Sequence, residues 1–166
     1  DRELEGSGIV LVPVGNPVDA VWHDRPAPPG APAEAYPDRL AGQTAAEKRS
    51  QLAEALRAAG QAAAVLTLPD GICWLLNLRG ADIPRNPVMQ ANAILHDDGR
   101  VDLFAAAGKL DDRLRAQLGP EVALHPPEEF APSLARLTGP VRVDRTSAPL
   151  AVSRTLEAAG IVVAWD

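Results

Sequence analysis

Five polar side chains lie within ten consecutive positions of this sequence, and their types are those that hold peptides and carboxylates. They are Asn77, Arg79, Asp82, Arg85 and Asn86. Arg79 could clamp a carboxylate or a backbone carbonyl bidentately, or it could brace the segment against Asp82 or against the C-terminus of a helix. Of these two roles we favour the structural one. The segment is the strongest candidate for a binding site, because scaffolded polar loops often carry binding residues.

A short helix is predicted to position this segment. Asp70 is a good N-cap, and Ile72, Leu75 and Leu76 then share one helical face. Two helical turns packed on a core would produce this pattern. We expect Trp74 to pack in that core and not to line a substrate pocket.

The end of this helix is predicted from glycine and proline. Asn77 and Gly80 are expected to stop it, since glycine takes the left-handed conformation that closes a helix. Pro84 and Pro87 prevent the helix from resuming. The polar side chains are therefore expected on an irregular, rigid loop.

Two sequence motifs resemble a known family. Residues 74–83 read Trp-Leu-Leu-Asn-Leu-Arg-Gly-Ala-Asp-Ile, and residues 86–88 read Asn-Pro-Val. Together they resemble the central signature of the middle, non-catalytic domain of three-domain Xaa-Pro aminopeptidases (aminopeptidase P). Residues 11–14 and 18–26 resemble the segment that joins that family's first domain to its second. Two motifs in the right order are much more specific than either alone.

The resemblance carries expectations about a larger enzyme. It implies a creatinase/prolidase N-terminal-like fold for this chain, in a cytoplasmic parent that removes an N-terminal residue preceding proline by metal-activated water. It implies two divalent metal ions, manganese or zinc, held by two aspartates, one histidine and two glutamates of a catalytic domain beyond residue 166. The implied partners are that catalytic domain, a second subunit and a peptide substrate at the domain edge.

The histidines do not form a pattern typical of a metal centre. His23, His96 and His125 are far apart in the sequence, and none belongs to a His-x-x-x-His or Glu-x-x-His pair. We expect surface or capping roles for them. No metal ligand and no cofactor is therefore predicted in this chain.

Other catalytic patterns are also weak. Asp111-Asp112 and Glu128-Glu129 are adjacent pairs, and adjacent residues on a helix do not face each other, so we interpret them as helix-start charges. No Gly-x-Ser-x-Gly elbow and no glycine-rich phosphate loop occurs. We expect the chain alone not to be an enzyme.

Composition excludes several partners. The 166 residues carry a net charge of −6, and Lys48 and Lys109 are the only lysines, so no basic stripe is available for nucleic acid. No run approaches the roughly 18 apolar residues of a membrane span. The single cysteine, Cys73, is predicted to be a buried apolar residue, which fits a reducing cytoplasm.

Helical and extended patterns alternate along most of the chain. A capping box at Thr44 and Glu47 begins the first full helix, and Asp97-Asp98-Gly99 predicts a tight hairpin. Helices are expected at residues 44–59, 70–77, 109–118, 127–137 and 147–160, the last capped by Ser147; strands are expected at 62–68, 88–96, 100–105, 122–124, 141–143 and 161–165. This order predicts a three-layer α/β domain, a mixed β-sheet with helices on both faces.

The N-terminal part is expected to differ from the rest. Residues 1–37 are predicted to be the end of a preceding domain plus a proline-rich connector, and residues 38–166 the α/β domain. The first part would hold a helix end at Glu3–Gly6, a strand at Ile9–Val14 and a short helix that begins at Asn16. We expect Trp22 and Trp165 to pack between domains.

Two functional hypotheses follow. The first is a non-catalytic middle domain of an Xaa-Pro aminopeptidase that shapes substrate access and packs against other domains or subunits. The alternative is a peptide- or protein-binding module, in a peptidase-like protein without activity, that uses the loop between Asn77 and Asn86. An independent small-ligand enzyme has no group of residues to support it.

Overall fold

The computed structural model describes residues 4–12 and 14–166. Its helices are α1 (Pro17–Val21), α2 (Asp38–Ala41), α3 (Ala45–Ala58), α4 (Pro69–Leu76), α5 (Asp112–Leu118), α6 (Phe130–Leu134) and α7 (Leu150–Ala158). Its strands are β1 (Glu34–Ala35), β2 (Ala63–Leu66), β3 (Leu78–Arg79), β4 (Asn92–His96), β5 (Val101–Phe104), β6 (Val122–His125), β7 (Val141–Val143) and β8 (Val163–Trp165). A 3-10 turn at Pro127–Glu129 leads into α6. In the described part of the chain, no helix is long and apolar enough to cross a membrane.

The main sheet has six strands in the order β6-β5-β4-β2-β7-β8. β4 runs antiparallel to both β2 and β5, whereas β6 and β7 run parallel to β5 and β2, and β8 runs parallel to β7. The β4–β5 hairpin turns at Gly99, whose φ of 87° is one that glycine adopts readily. The predicted mixed sheet and its hairpin are confirmed.

Two apolar cores cover the two faces of the sheet. On one face α3, α4 and α5 contribute buried side chains such as Leu56, Leu75 and Leu114. On the other face α6 and α7 contribute Leu134 and Leu156. The predicted three-layer α/β architecture is therefore confirmed.

A second sheet of two short strands was not predicted. β1 pairs antiparallel with β3, with Glu34 opposite Arg79 and Ala35 opposite Leu78. Strands of two residues are too short for an alternating pattern to identify. The pairing fastens the end of the proline-rich connector to the loop after α4, so the first two residues of that loop are not irregular.

The predicted strand at Ile9–Val14 is wrong for the residues that the structure describes. Residues 9–12 and 14 form no strand, and Val10 is 80% exposed. A strand needs a hydrogen-bonded neighbour, and this segment has none among the described residues. Pro13 lies outside the described residues, as does Glu3 of the predicted Glu3–Gly6 helix end.

Two predicted N-caps are wrong. Leu68 is the N-cap of α4, while Asp70 lies inside the first turn and accepts a hydrogen bond from the Gly71 amide at 2.9 Å. Proline at the first helical position places the N-cap two residues earlier than predicted, because its ring fixes φ. The Thr44 capping box, in contrast, is confirmed, with the Glu47 amide donating to Thr44 Oγ1 at 3.1 Å.

The helix predicted at Ser147 begins later. Pro149 is its N-cap, and the Ser147 hydroxyl donates to a carboxylate oxygen of Asp144. The helix predicted from Lys109 likewise begins only at Asp112, because Asp111 accepts a hydrogen bond from the Leu114 amide at 2.7 Å and caps it.

Candidate functional site: the pocket beside the loop after α4

Asn77 joins four parts of the chain at the end of α4. Its backbone is left-handed, with φ of 50° and ψ of 53°. Its side-chain amide donates to Asp38 Oδ1 at 2.7 Å and to the Gln43 carbonyl at 2.8 Å, and its Oδ1 accepts from Lys48 Nζ at 2.6 Å. Its carbonyl accepts from the Tyr36 amide at 2.7 Å. Asn77, and not Gly80, therefore closes the helix, since asparagine tolerates this conformation and its side chain is fully used.

Lys48 is a buried cation beneath the same helix end. It lies on α3, is 2% exposed, and donates from Nζ to the Trp74 carbonyl at 2.7 Å as well as to Asn77. An ammonium group there adds a shorter hydrogen bond to a carbonyl that otherwise accepts, among the described residues, only from the Asn77 amide at 3.4 Å, and it interacts favourably with the negative end of the helix dipole. Burial lowers the pKa of Lys48 below its ordinary value, and the charge of Asp38 acts in the opposite direction.

A second buried lysine fixes the far end of the loop. Lys109 Nζ contacts Asp82 Oδ2 in an ion pair whose side chains are 2% and 0% exposed. The Gln90 amide donates to the same oxygen at 2.6 Å, and Lys109 also donates to the Gln90 carbonyl at 3.2 Å. Asp82 Oδ1 has no hydrogen-bond partner among the described residues. Asp82 thus anchors the loop to the core and does not face solvent.

Gly80 permits a close backbone contact inside the loop. A Cβ at this position would lie 2.7 Å from the Met89 Cα and amide nitrogen and from the Val88 carbonyl oxygen. The loop turns back between Ile83 and Asn86, where the Asn86 amide donates to the Ile83 carbonyl at 3.0 Å. The prediction of a rigid loop rested on its prolines, but this contact and the buried ion pair are what hold it.

A pocket of about 370 Å³ lies between the loop, α4 and the β1 segment. We call it the Arg79 pocket. Its lining includes Tyr36, Trp74, Arg79 and Asn86. Trp74 is 53% exposed, so the prediction that it packs in the core is wrong. It stands beside the Lys48 ammonium, which lies 4.6 Å from the centre of its ring, and forms one wall of the pocket.

Arg79 is stacked and not clamped. Its guanidinium carbon lies 4.2 Å from the centre of the Tyr36 ring, and the guanidinium donates no hydrogen bond to a protein acceptor in residues 4–12 and 14–166. The suggested brace against Asp82 is wrong, because Asp82 pairs with Lys109. A stacked guanidinium keeps its in-plane N–H groups free for a planar acceptor.

The five predicted loop residues and the neighbouring Trp74 therefore differ in their position relative to the pocket. Trp74, Arg79 and Asn86 line the pocket together with Asn77, whereas Asp82 is buried away from it. Arg85 is exposed at a turn and has a positive φ of 65°.

Cys73 lies under the loop. It is 2% exposed, as predicted, and its Sγ accepts a hydrogen bond from the Met89 amide at 3.3 Å. Burial raises the pKa of its thiol above the ordinary value, although the Met89 amide and the charge of Arg79 act in the opposite direction. The thiol is therefore held protonated and covered.

Two histidines share one carboxylate across three strands. His96 Nε2 lies 2.8 Å from Asp102 Oδ2, and His125 Nε2 lies 3.0 Å from Asp102 Oδ1. Burial of Asp102 acts to raise its pKa, but the hydrogen bonds from both rings outweigh burial, so its pKa lies below the ordinary value. Neither histidine caps a helix.

The residues present do not fit the dinuclear metal centre that the motif resemblance implies for a parent enzyme. Such a centre needs several carboxylates and an imidazole around one cavity. Across the residues that the structure describes, no group of three or more histidine, cysteine or acidic side chains is arranged to hold a metal ion. At Asp102 the two imidazole Nε2 atoms are directed at the carboxylate itself.

Comparison with known proteins identifies the family. The profile of the creatinase/prolidase N-terminal domain matches residues 24–164. The chain belongs to this family. The expectation drawn from the two sequence motifs is thereby confirmed at the level of the domain.

Relatives of this creatinase/prolidase N-terminal domain are much longer proteins. A probable Xaa-Pro aminopeptidase P from Coccidioides posadasii is 42% identical over 134 residues, which are 80% of this chain and 22% of the relative. One from Aspergillus niger is 37% identical over 147 residues, 87% of this chain and 24% of the relative. The chain thus spans less than a quarter of these curated relatives.

Solved structures agree with the family assignment. The X-prolyl aminopeptidase of Caenorhabditis elegans, described as a cytosolic enzyme with a di-nuclear active site, matches with a TM-score of 0.84 and 28% identity over 99% of this chain and 28% of that one. The creatinase/prolidase N-terminal domain of an X-Pro dipeptidase from Streptococcus pyogenes matches with a TM-score of 0.51 and 16% identity, over 72% of this chain and 93% of that one. The second match shows the fold alone.

Sequence reasoning missed the two lysines that hold this family member's loop. Lys48 and Lys109 contact residues 29 and 27 positions away, beyond the range of any local pattern. One signal was available: the sequence has 16 basic residues but only these two lysines. The compact ammonium of lysine fits small buried sites that the larger planar guanidinium of arginine does not.

Proposed function

We propose that this chain is a non-catalytic domain of a cytoplasmic Xaa-Pro aminopeptidase, which removes an N-terminal residue preceding proline. The observation that carries the proposal is the 42% identity to an Xaa-Pro aminopeptidase P over 80% of the chain. The match to the cytosolic Caenorhabditis elegans enzyme over 99% of the chain supports it.

We further propose that a catalytic domain elsewhere in the same polypeptide holds two divalent metal ions. The di-nuclear active site of the Caenorhabditis elegans enzyme supports this, as does the misfit between such a centre and the side chains of this domain. In this arrangement the domain docks on the catalytic domain, narrows access so that short peptide N-termini enter, and packs against other domains or a second subunit.

The proposed division of the chain is residues 1–37 as the end of a preceding domain plus its connector, and residues 38–166 as the α/β domain. Support comes from exposed apolar side chains before the connector, such as Val10 and Val12 at 80% and 70%. Trp22 and Trp165, each 44% exposed, are the proposed interdomain packing residues. The pairing of β1 with β3 would keep the connector attached to the domain.

An assay of this chain alone tests the non-catalytic role. We expect no hydrolysis of an X-Pro dipeptide in the presence of manganese or zinc. Turnover that survives repurification of the chain and is abolished by a substitution in it would contradict the proposal.

A second assay tests the access role in the complete polypeptide. Replacing Trp74 by Ala should change kcat/KM for long peptides more than for a dipeptide, because only long substrates would touch the domain edge. Arg154→Met, on the exposed surface of α7, is the matched control. Equal effects on long and short substrates would argue against a role in access.

A further inference from the structure

We propose that the Arg79 pocket binds the C-terminal carboxylate of a short peptide. The inference gives the loop a ligand of defined chemistry. It does not rest on the proposed peptidase role, because binding can be measured on this chain alone.

The Arg79 side chain has unused hydrogen-bonding capacity in the part of the chain that the structure describes. Its guanidinium carbon lies over the Tyr36 ring, 4.2 Å from the ring centre. Stacking occupies the faces of the group and leaves its N–H edges in the plane. Since no protein acceptor in residues 4–12 and 14–166 takes these N–H groups, they can form two parallel bonds to a carboxylate.

The Arg79 pocket is lined partly by apolar and aromatic side chains. Trp74 and Leu40 are 53% and 56% exposed, and with Tyr36 they form apolar walls around a volume of about 370 Å³. Binding pockets of this kind combine apolar or aromatic walls with a few polar groups that fix orientation. Such walls suit the side chains and rings of a dipeptide or tripeptide better than a small inorganic anion.

The Arg79 pocket is lined by charges of both signs. Lys48 contributes positive charge at the pocket but donates to Asn77 and to the Trp74 carbonyl, whereas the guanidinium of Arg79 has no acceptor among the described residues. Asp70 also lines the pocket and would repel a simple anion. A peptide with both termini free carries an ammonium group that can pair with the Asp70 carboxylate. Asp70 and Arg79 together therefore favour a zwitterionic ligand.

The loop beside the pocket is held in place at both ends. Asn77 fixes the end of α4 with four hydrogen bonds, and the buried Asp82–Lys109 pair fixes the far side of the loop. A site that is already ordered loses little conformational entropy when a ligand binds.

Titration of the isotope-labelled chain with the dipeptide Ala-Pro tests the proposal. We expect saturable NMR shifts confined to Tyr36, the Trp74 indole and the Arg79 side chain. Ala-Pro amide, which lacks the carboxylate, should bind at least about tenfold more weakly, because a charge-assisted bond is lost. Equal binding of acid and amide, or binding of acetate as tight as that of Ala-Pro, would overturn the proposal.

Variants separate the site from general effects of charge. Arg79→Gln should weaken Ala-Pro binding by about ten- to a hundredfold, and Arg79→Lys should retain only part of it. The matched control is Arg145→Gln, which removes a guanidinium that lies 5.5 Å from the Trp165 ring at the β8 edge. Unchanged thermal unfolding of each variant shows that it folds.

The proposal fails if Arg145→Gln weakens binding as much as Arg79→Gln, or if the shifts do not saturate. Its failure and that of the proposed function are distinguishable. Absence of Ala-Pro binding leaves the hydrolysis assay unaffected, and hydrolysis by this chain would not change the Arg79 dependence of binding.

Discussion

Two lysines hold opposite ends of one loop, and they do so by different physics. Lys48 is surrounded by neutral acceptors, the Trp74 carbonyl and the Asn77 amide oxygen. Lys109 is paired with the carboxylate of Asp82, which is completely buried. Both lysines are 2% exposed.

The difference teaches how each end responds to damage. The Lys48 ammonium donates hydrogen bonds to uncharged oxygens at the end of α4, and its removal leaves those uncharged groups without this donor. In the ion pair each charge makes burial of the other tolerable, and removal of one partner leaves a bare charge in the core. The end of the loop held by Lys109, which lies outside the Arg79 pocket, should therefore be the more fragile one.

The largest effect is expected for Lys109→Met. The buried Asp82 would lose its counter-ion, so the free energy of unfolding should fall by about 3–5 kcal/mol in chemical denaturation. The double variant Asp82→Leu, Lys109→Met is the control, and it should recover most of the loss because both charges are gone. A single variant as stable as the unmodified chain would break the comparison.

Lys48→Met should cost less, about 1–3 kcal/mol of unfolding free energy, because the abandoned acceptors are neutral. The same denaturation measurement applies. Arg154→Met on the exposed face of α7 should change the unfolding free energy by no more than about 0.5 kcal/mol. A loss equal to that of Lys109→Met would mean that the two lysines hold the loop in the same way.

Gly80→Ala tests whether steric fit supports the loop between the two lysines. The new Cβ would lie 2.7 Å from backbone atoms of Met89, and the strain should cost about 1–3 kcal/mol. Gly71→Ala is the matched control, because a Cβ there meets no atom within 4 Å. That change lies inside α4 and should stabilise the protein by about 0.5–1 kcal/mol. Equal melting temperatures for the two variants would contradict the close contact.

The smallest effect is expected at Asp102, a partly exposed counterpart of buried Asp82. Because its pKa is lower in the folded than in the unfolded protein, Asp102 stabilises the fold above the unfolded value near 3.8 and loses this contribution as the pH falls through the folded value. Solvent screening should keep the contribution at about 1 kcal/mol or less. The stability difference between the unmodified chain and Asp102→Asn should therefore shrink as the pH falls below 3.8, as followed by urea denaturation. A constant difference would exclude this linkage.

Local signals predicted most of the fold. The capping box at Thr44 and the Asp-Gly step before Arg100 each act within four residues, and both were read correctly. β1 and β3 escaped because two residues provide no periodicity. The prediction for Trp74 is wrong because its position is about 200° from Ile72 on a helix of 3.6 residues per turn, which places it on the exposed face of α4.

The candidate site was predictable only in part. The position of the loop follows from Asn77 and Gly80, which end the helix, and from Pro84 and Pro87, but its supports come from other elements. Asp82 is one of the two braces suggested for Arg79, three residues away, and it pairs instead with Lys109. Spacing in the sequence cannot tell which cation pairs with Asp82. The partner is the cation that the fold buries beside it, and that cation is Lys109.

The reactivity of the buried Cys73 thiol can report local opening of the structure around it. Because Cys73 is 2% exposed, an alkylating reagent reaches Sγ only when the structure around it opens, and the raised pKa of Cys73 makes the thiol unreactive while it stays covered. The rate of alkylation therefore measures how often this part of the protein opens. Cys73 borders the Arg79 pocket, so a peptide bound beside Arg79 would slow that reaction.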